Sequence, residues 1–262
     1  KPAGAAALPA LSVLAIPTRD RPGLVGGALQ SFAENMERYG RRGSFLVSDD
    51  SPDPQRNQEY RDVILGFRRT SEFPVVYCGP EEKKAFVVEL ARESGVDPAT
   101  VAWMVLNPGG FRVSTGANRN FMMLARAGDP LMIVDDDARC RLACAPGSRP
   151  FERLFVFSKR LPAYQRCFAD RETTLASVEP VDLDFLACHE KLLGKPVGHL
   201  IAKPPDGGSV DCRYSGPGLF EKISRGKGIV RISCGGIYGD AGNGRVEHRF
   251  FYDSNALQHM AV

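Results

Sequence analysis

The chain has 262 residues, 43% of them hydrophobic and 25% charged, and 34 Lys+Arg against 31 Asp+Glu leave a net charge of +3. This is ordinary globular composition, and it excludes a disordered chain, a coiled coil and a collagen-like repeat. So small a charge, spread along the chain, leaves no footprint for nucleic acid. No window approaches the roughly 18 consecutive apolar residues of a membrane span. Seven cysteines at irregular spacing include no CxxC, so the expectation is free thiols in a cytoplasmic protein rather than a zinc site or a disulfide framework.

Residues 1–10 are small and alanine-rich and are expected to form a flexible tail. Leu11 to Ile16 is a short apolar run closed by Pro17, the pattern of a buried strand in a parallel sheet. Asp20 can cap a helix whose first turn takes Pro22, and Leu24, Val25, Ala28, Leu29, Phe32 and Met36 recur at helical spacing. A second strand, Phe45 to Val47, runs into Ser48-Asp49-Asp50-Ser51-Pro52-Asp53. Helices are predicted over Arg56 to Phe67, over Glu81 to Glu93 with Phe86, Val87, Leu90 and Ala91 inward, and over Thr115 to Ala127. Strands are predicted at Phe73 to Tyr77 and at Leu131 to Val134, the latter ending on Asp135-Asp136-Asp137. Strand–helix alternation of this kind means an α/β fold with a single Rossmann-like, open and mainly parallel sheet flanked by helices.

Beyond Arg139 the pattern loosens. A strand at Phe151 to Phe157, a helix at Asp182 to Leu193 and short apolar pieces at Leu219 to Ser224 and Ile229 to Ile232 are expected. Two halves of one domain follow from this, residues 11–139 and residues 140–262.

In an open α/β sheet, ligands sit outside the carboxyl ends of the strands. Polar clusters stand at three such ends: Pro17-Thr18-Arg19-Asp20, Asp49-Asp50 and Asp135-Asp136-Asp137. Three adjacent carboxylates repel one another, and a divalent cation relieves that repulsion. Alternatively one aspartate caps a turn and the others are solvated. No GxGxxG follows a strand, and no P-loop, GxSxG or HExxH is present.

The strand ends resemble those of glycosyltransferase family 2, whose enzymes have the GT-A fold. Ala15-Ile16-Pro17-Thr18-Arg19-Asp20-Arg21-Pro22 is similar to that family's "IPTxNRP", and Phe45 to Asp53 to its "VVVDDGSxD". Gly116-Ala117-Asn118-Arg119-Asn120, followed by Ala125 to Asp137, is similar to "xxARNxGxxxAxGDxIxFLDxDD". The four elements occur in the family's order over residues 11–139.

The resemblance implies a metal-dependent, inverting glycosyltransferase of the hexosyltransferase type, moving a sugar from a UDP-sugar to an acceptor. It implies that Pro17, Thr18, Arg19, Asp20 and Asp49 hold the uracil and ribose, and that Arg119 lies near the diphosphate or sugar. It further implies that Asp135 and Asp136 border the nucleotide-sugar, and that Asp137, with Asp135, binds Mg²⁺ or Mn²⁺. Residues 140–262 then form the acceptor-binding half.

The family's general base is commonly in an "ED" pair, and none follows Asp137 here. Asp240, in a glycine-rich loop, is the first choice, with Asp211 and Glu221 as alternatives, and Asp240 can equally be a turn former. His199 or His248 could complete a metal site. Trp103 could stack on a sugar but is expected to pack in the core. The absence of "QxxRW" argues against polysaccharide synthesis. Two other readings remain: a catalytically silent nucleotide-binding module of the same fold, and a sugar-1-phosphate nucleotidylyltransferase, which needs a glycine-rich basic loop after the first strand.

Overall fold

Strand β1 (Val13–Thr18) is buried along nearly its whole length, as its unbroken apolar run requires of a strand covered on both faces. The structure, a computed structural model, describes residues 10–111, 114–144, 146–156, 170–213, 215–226 and 228–235. They divide into two units, one comprising residues up to Arg141 with Asp184–Leu186, the other Leu142–Leu183 with the residues from Ala187 onward.

In the first unit β1 is followed by α1 (Pro22–Arg38), β2 (Ser44–Asp49), α2 (Pro54–Thr70), β3 (Val75–Cys78), α3 (Pro80–Ser94), α4 (Pro98–Val105), α5 (Thr115–Ala125) and β4 (Leu131–Ile133). The four strands form one sheet in the order β3-β2-β1-β4, with every pairing parallel. This is a Rossmann-like α/β arrangement. Pro17 and Thr18 belong to β1, so the strand outlasts the proline expected to close it. A proline has no N–H to give to a ladder, and that is tolerated near a strand end.

The α1 face that carries Val25, Ala28, Leu29, Phe32, Ala33 and Met36 is buried. Fully burying side chains of the Val, Leu and Phe kind is worth about 1.5–3 kcal/mol each. Its N-cap is Arg21, with no side-chain cap bond. Asp20, expected to cap it, instead takes a left-handed φ of 57° and gives its N–H to Ser51 Oγ at 2.7 Å. Asp53 does cap α2, accepting from the N–H of Gln55 at 2.9 Å, with Pro54 in the first turn. Gly95, left-handed at φ 70°, ends α3. The stretch after it, read from sequence as irregular, contains α4, capped by Asp97.

The Asp184–Leu186 segment returns to this unit. Phe185 packs against Phe32 with the rings tilted and their centroids 5.3 Å apart, and Asp184 pairs with Arg41 at 2.6 Å. Trp103 departs from expectation. It is 73% exposed on α4 rather than packed in the core, while its neighbours Val101 and Val105 take the buried positions.

The second unit has short elements: β5 (Ala143–Cys144) antiparallel to β7 (Glu179–Pro180), and β6 (Arg153–Phe155) parallel to β8 (Ser209–Asp211). Its helices are α6 (Arg171–Ser177), α7 (Phe185–Glu190, which begins in the returning segment), α8 (Val197–Ala202) and α9 (Pro217–Ser224). The apolar piece at 219–224 is therefore helical. Ile229 makes an isolated bridge to Pro196 instead of opening a strand. No helix among the described residues is long and apolar enough to cross a membrane.

Candidate functional site

Parallel register brings the polar clusters of the first unit together. Ala15 pairs with Ile133, and the Val134 N–H continues the ladder to the Ala15 carbonyl at 3.0 Å. Three residues further along each strand, Thr18 lies beside Asp136, and the Thr18 hydroxyl donates to Asp136 Oδ2 at 2.6 Å. On the other side Thr18 pairs with Asp49. The carboxyl ends of β4, β1 and β2 thus form one polar edge, as expected of an open α/β sheet.

A relay of hydrogen bonds fixes its centre. Thr18 has a single hydroxyl proton, which goes to Asp136, so Tyr60, 2.8 Å from Thr18 Oγ1, is the donor to that oxygen. Tyr60 in turn accepts the Arg21 N–H at 2.9 Å. Burial raises the Tyr60 pKa, keeping it a donor. Burial also raises the pKa of Asp136, against the opposing pull of Thr18 and of the Arg21 guanidinium, 2.6 Å from Asp136 Oδ1.

The aspartate triplet lies in the turn after β4, where the Ala138 N–H closes on the Asp135 carbonyl at 3.0 Å. Asp136 points inward, while Asp135 and Asp137 have side chains 65% and 57% exposed. Asp135 is paired with Arg119 at 3.4 Å and Asp137 with Arg21 at 3.2 Å. Two exposed carboxylates after the strand end offer the kind of oxygen ligands a hard cation prefers. Mg²⁺ commonly takes one or two carboxylates and completes its shell with water and substrate phosphates. Among the described residues, no group of three or more His, Cys, Asp or Glu could hold a metal ion. The fit therefore rests on two carboxylates plus a ligand's own oxygens.

Asp49 is fully buried and its carboxylate is already satisfied. Oδ1 accepts from the Ser51 N–H at 2.8 Å and the Ser51 hydroxyl at 2.5 Å; Oδ2 accepts from Tyr77 at 2.8 Å and Asn57 at 2.9 Å. Asp49 shapes the strand end, and the acceptor left over is its neighbour's. Asp50 takes the Lys83 ammonium on Oδ1, while its Oδ2 is buried and meets no donor among the described residues. A buried carboxylate oxygen without a donor is costly.

Lys83, 1% exposed, also donates to the Asp49 carbonyl at 3.0 Å and to Asn118 Oδ1 at 3.1 Å. Burial lowers its pKa against the raising effect of Asp50. Asn118 accepts from Ser48 as well and donates to the carbonyls of Ser48 at 3.0 Å and Thr18 at 3.4 Å, so it ties β1 to β2. Arg19 reaches the Phe111 carbonyl at 3.3 Å and Ser114 Oγ at 3.4 Å. Burial pushes the Cys78 thiol at the end of β3 up to about 11, so it is protonated and a poor nucleophile at neutral pH.

Lys83, Asn118, Tyr60, Tyr77, Asn57 and Ser51 were not singled out from the sequence. Lys83 stands four residues before Val87 and eight before Ala91, on the same helix stripe, and that spacing marks it as inward-facing.

The candidate bases lie apart from this edge in sequence. Asp240 and His248 are outside the described residues. Asp211, in the second unit, is clamped by Arg213 and Arg153, whose hydrogen bonds hold its carboxyl well below the usual range, so it is a weak base. Glu221 is exposed on α9 and paired with Arg225 at 2.5 Å. His199 lies on α8.

The fold and edge define a Rossmann-like α/β unit with an acidic strand-end site. Comparison with known proteins adds no relative: no family model, no curated protein and no solved structure matches the chain.

Proposed function

We propose that the chain is a GT-A-type glycosyltransferase, similar to family 2, that moves a sugar from a UDP-sugar to an acceptor. The observation that carries the reading is the convergence of three motif-bearing strand ends on one edge, tied by the bond from Thr18 to Asp136. Thr18 and Asp136, in two of the segments that carry the resemblance, are 118 residues apart in sequence, and folding puts them side by side.

In this reading Asp50 takes the role the resemblance gives to Asp49. An ionised carboxylate is acceptor-only and suits the N–H of uracil, and the buried Asp50 Oδ2 meets no donor among the described residues. Pro17 to Asp20 supply the backbone around the base and ribose. Arg119, on the exposed side of Asp135, offers a planar fork to diphosphate oxygens. Asp135 and Asp137 would hold Mg²⁺ or Mn²⁺, which when bound offsets charge developing on the departing diphosphate. The acceptor's nucleophilic atom bonds to the anomeric carbon as the bond to UDP breaks. The electron pair leaves with UDP, and the acceptor proton passes to a base, for which Asp240 is the first choice.

A panel of UDP-sugars and other nucleotide-sugars, with and without Mn²⁺, tests the reading by thermal shift. Stabilisation by UDP-sugars alone, dependent on the cation and followed by slow hydrolysis to UDP, is the expected result. Binding with no turnover on any acceptor would favour a silent nucleotide-binding module. Release of pyrophosphate from a nucleoside triphosphate and a sugar phosphate would favour a nucleotidylyltransferase.

A further inference from the structure

The second unit holds a cavity that the strand-end site does not use. β6 and β8 run parallel, with Arg153 opposite Ser209 and Phe155 opposite Asp211. The cavity, about 620 Å³, is lined by these strands together with Arg213, Ser215 and Phe220. Small-molecule sites span roughly 300–1,000 Å³.

Asp211 is buried, and its carboxylate accepts from Arg153 Nη2 at 2.6 Å, from Arg213 Nη2 at 2.7 Å and Nε at 3.1 Å, and from the Arg213 N–H at 3.0 Å. Those bonds keep it ionised, with Arg213 the larger cause and Arg153 the smaller. Among the described residues that line the cavity, Arg153 and Arg213 both pair with the Asp211 carboxylate. A guanidinium has five N–H donors, and Arg153 gives one of them to Asp211. The carboxylate therefore orients Arg153 more than it saturates it. The Phe155 ring, 5.2 Å from the Arg153 guanidinium carbon, supports the same side chain. Phe220 adds an apolar face and is 54% exposed.

We propose that this cavity binds a small oxyanion, a carboxylate or a phosphate monoester, carried on a flat apolar group. The oxyanion pairs with the guanidinium of Arg153, and the flat group lies against Phe220. Planar forks of this kind match both anions. The inference is independent of the transferase reading and uses none of its strand-end residues.

Calorimetry on the full chain at low salt, with phenyl phosphate, benzoate, inorganic phosphate and benzyl alcohol as probes, tests it. Saturable one-to-one binding of phenyl phosphate or benzoate is expected, and which of the two binds tighter identifies the anion. Inorganic phosphate should bind about tenfold more weakly, and benzyl alcohol not at all. Phe220→Ala should weaken the better probe about tenfold, and Arg153→Gln should remove its binding. Phe220 is exposed, so its variant reports on the site even if Arg153→Gln does not fold. Failure of both aromatic anions to saturate overturns the proposal, as does binding unchanged in Phe220→Ala or benzyl alcohol binding equally well.

Discussion

The Lys83 ammonium on α3, itself buried, is held against the largely buried Asp50 carboxylate at the end of β2. The same ammonium meets the Asp49 carbonyl and Asn118, so one charge joins β2, α3 and α5. Breaking a buried pair from one side leaves an uncompensated charge and costs about 3–5 kcal/mol. Lys83→Met should lose that much in urea unfolding. Adding Asp50→Asn should recover a large share, because the orphaned charge is then gone. Additive losses in the double variant would mean that the two groups do not act as a pair.

Tyr77 donates to Asp49 Oδ2 from the neighbouring strand, and burial, with the Asp49 charge, raises its pKa, so the hydroxyl stays protonated. A hydrogen bond to a charged group is worth about 1.5–3 kcal/mol. Tyr77→Phe should therefore destabilise by about that amount without loss of the ring packing on Tyr60. An unchanged unfolding midpoint would show that Asp49 is held by Ser51 and Asn57 alone.

The sheet was legible because parallel strands buried on both faces are short apolar runs, a rule that β1 and β2 follow, and β4, half-buried at the sheet edge, is a short apolar run as well. The acidic strand ends were legible for the same reason, since they begin where those runs stop. What a sequence read element by element did not resolve is the division of labour inside each cluster. Whether Asp49 or Asp50 keeps an oxygen without a donor depends on Tyr77 and Asn57, which arrive from β3 and α2. The inward position of Asp136 depends on Thr18 and Arg21, which arrive from the end of β1 to meet its carboxylate. Lys83 was hidden because an amphipathic stripe is read through its apolar members. Trp103 was misplaced because α4 is a helix with Val101 and Val105 inward, which leaves position 103 outside.

His189 on α7 is buried beside Ser233, 2.9 Å from Nδ1, and burial lowers its pKa from 6.5. The folded state then binds fewer protons than the unfolded one between the two values. Its contribution to stability is complete above 6.5 and is lost as pH falls through the lower folded value. Wild-type unfolding midpoints should therefore drop between pH 7 and pH 5, and His189→Leu should flatten that portion of the profile. Equal slopes in the two proteins would contradict the assignment.

Asp135 and Asp137 project from the edge while Asp136 is built into it, so the triplet should split cleanly on mutation. Asp136→Ala removes the partner of Thr18 and Arg21 and should lower stability by about 1–3 kcal/mol. Asp135→Ala should leave the unfolding midpoint near that of the wild type, because exposed pairs contribute about 0–1 kcal/mol. Equal stability losses in the two variants would mean that the difference in exposure does not divide structure from function.

Binding of UDP to the wild type and to Asp137→Ala, measured by calorimetry with and without Mn²⁺, tests the proposed site most directly. The expected result is manganese-dependent binding in the wild type and an affinity at least about tenfold lower in a variant that melts at the same temperature. UDP binding that ignores both the cation and the substitution would contradict it.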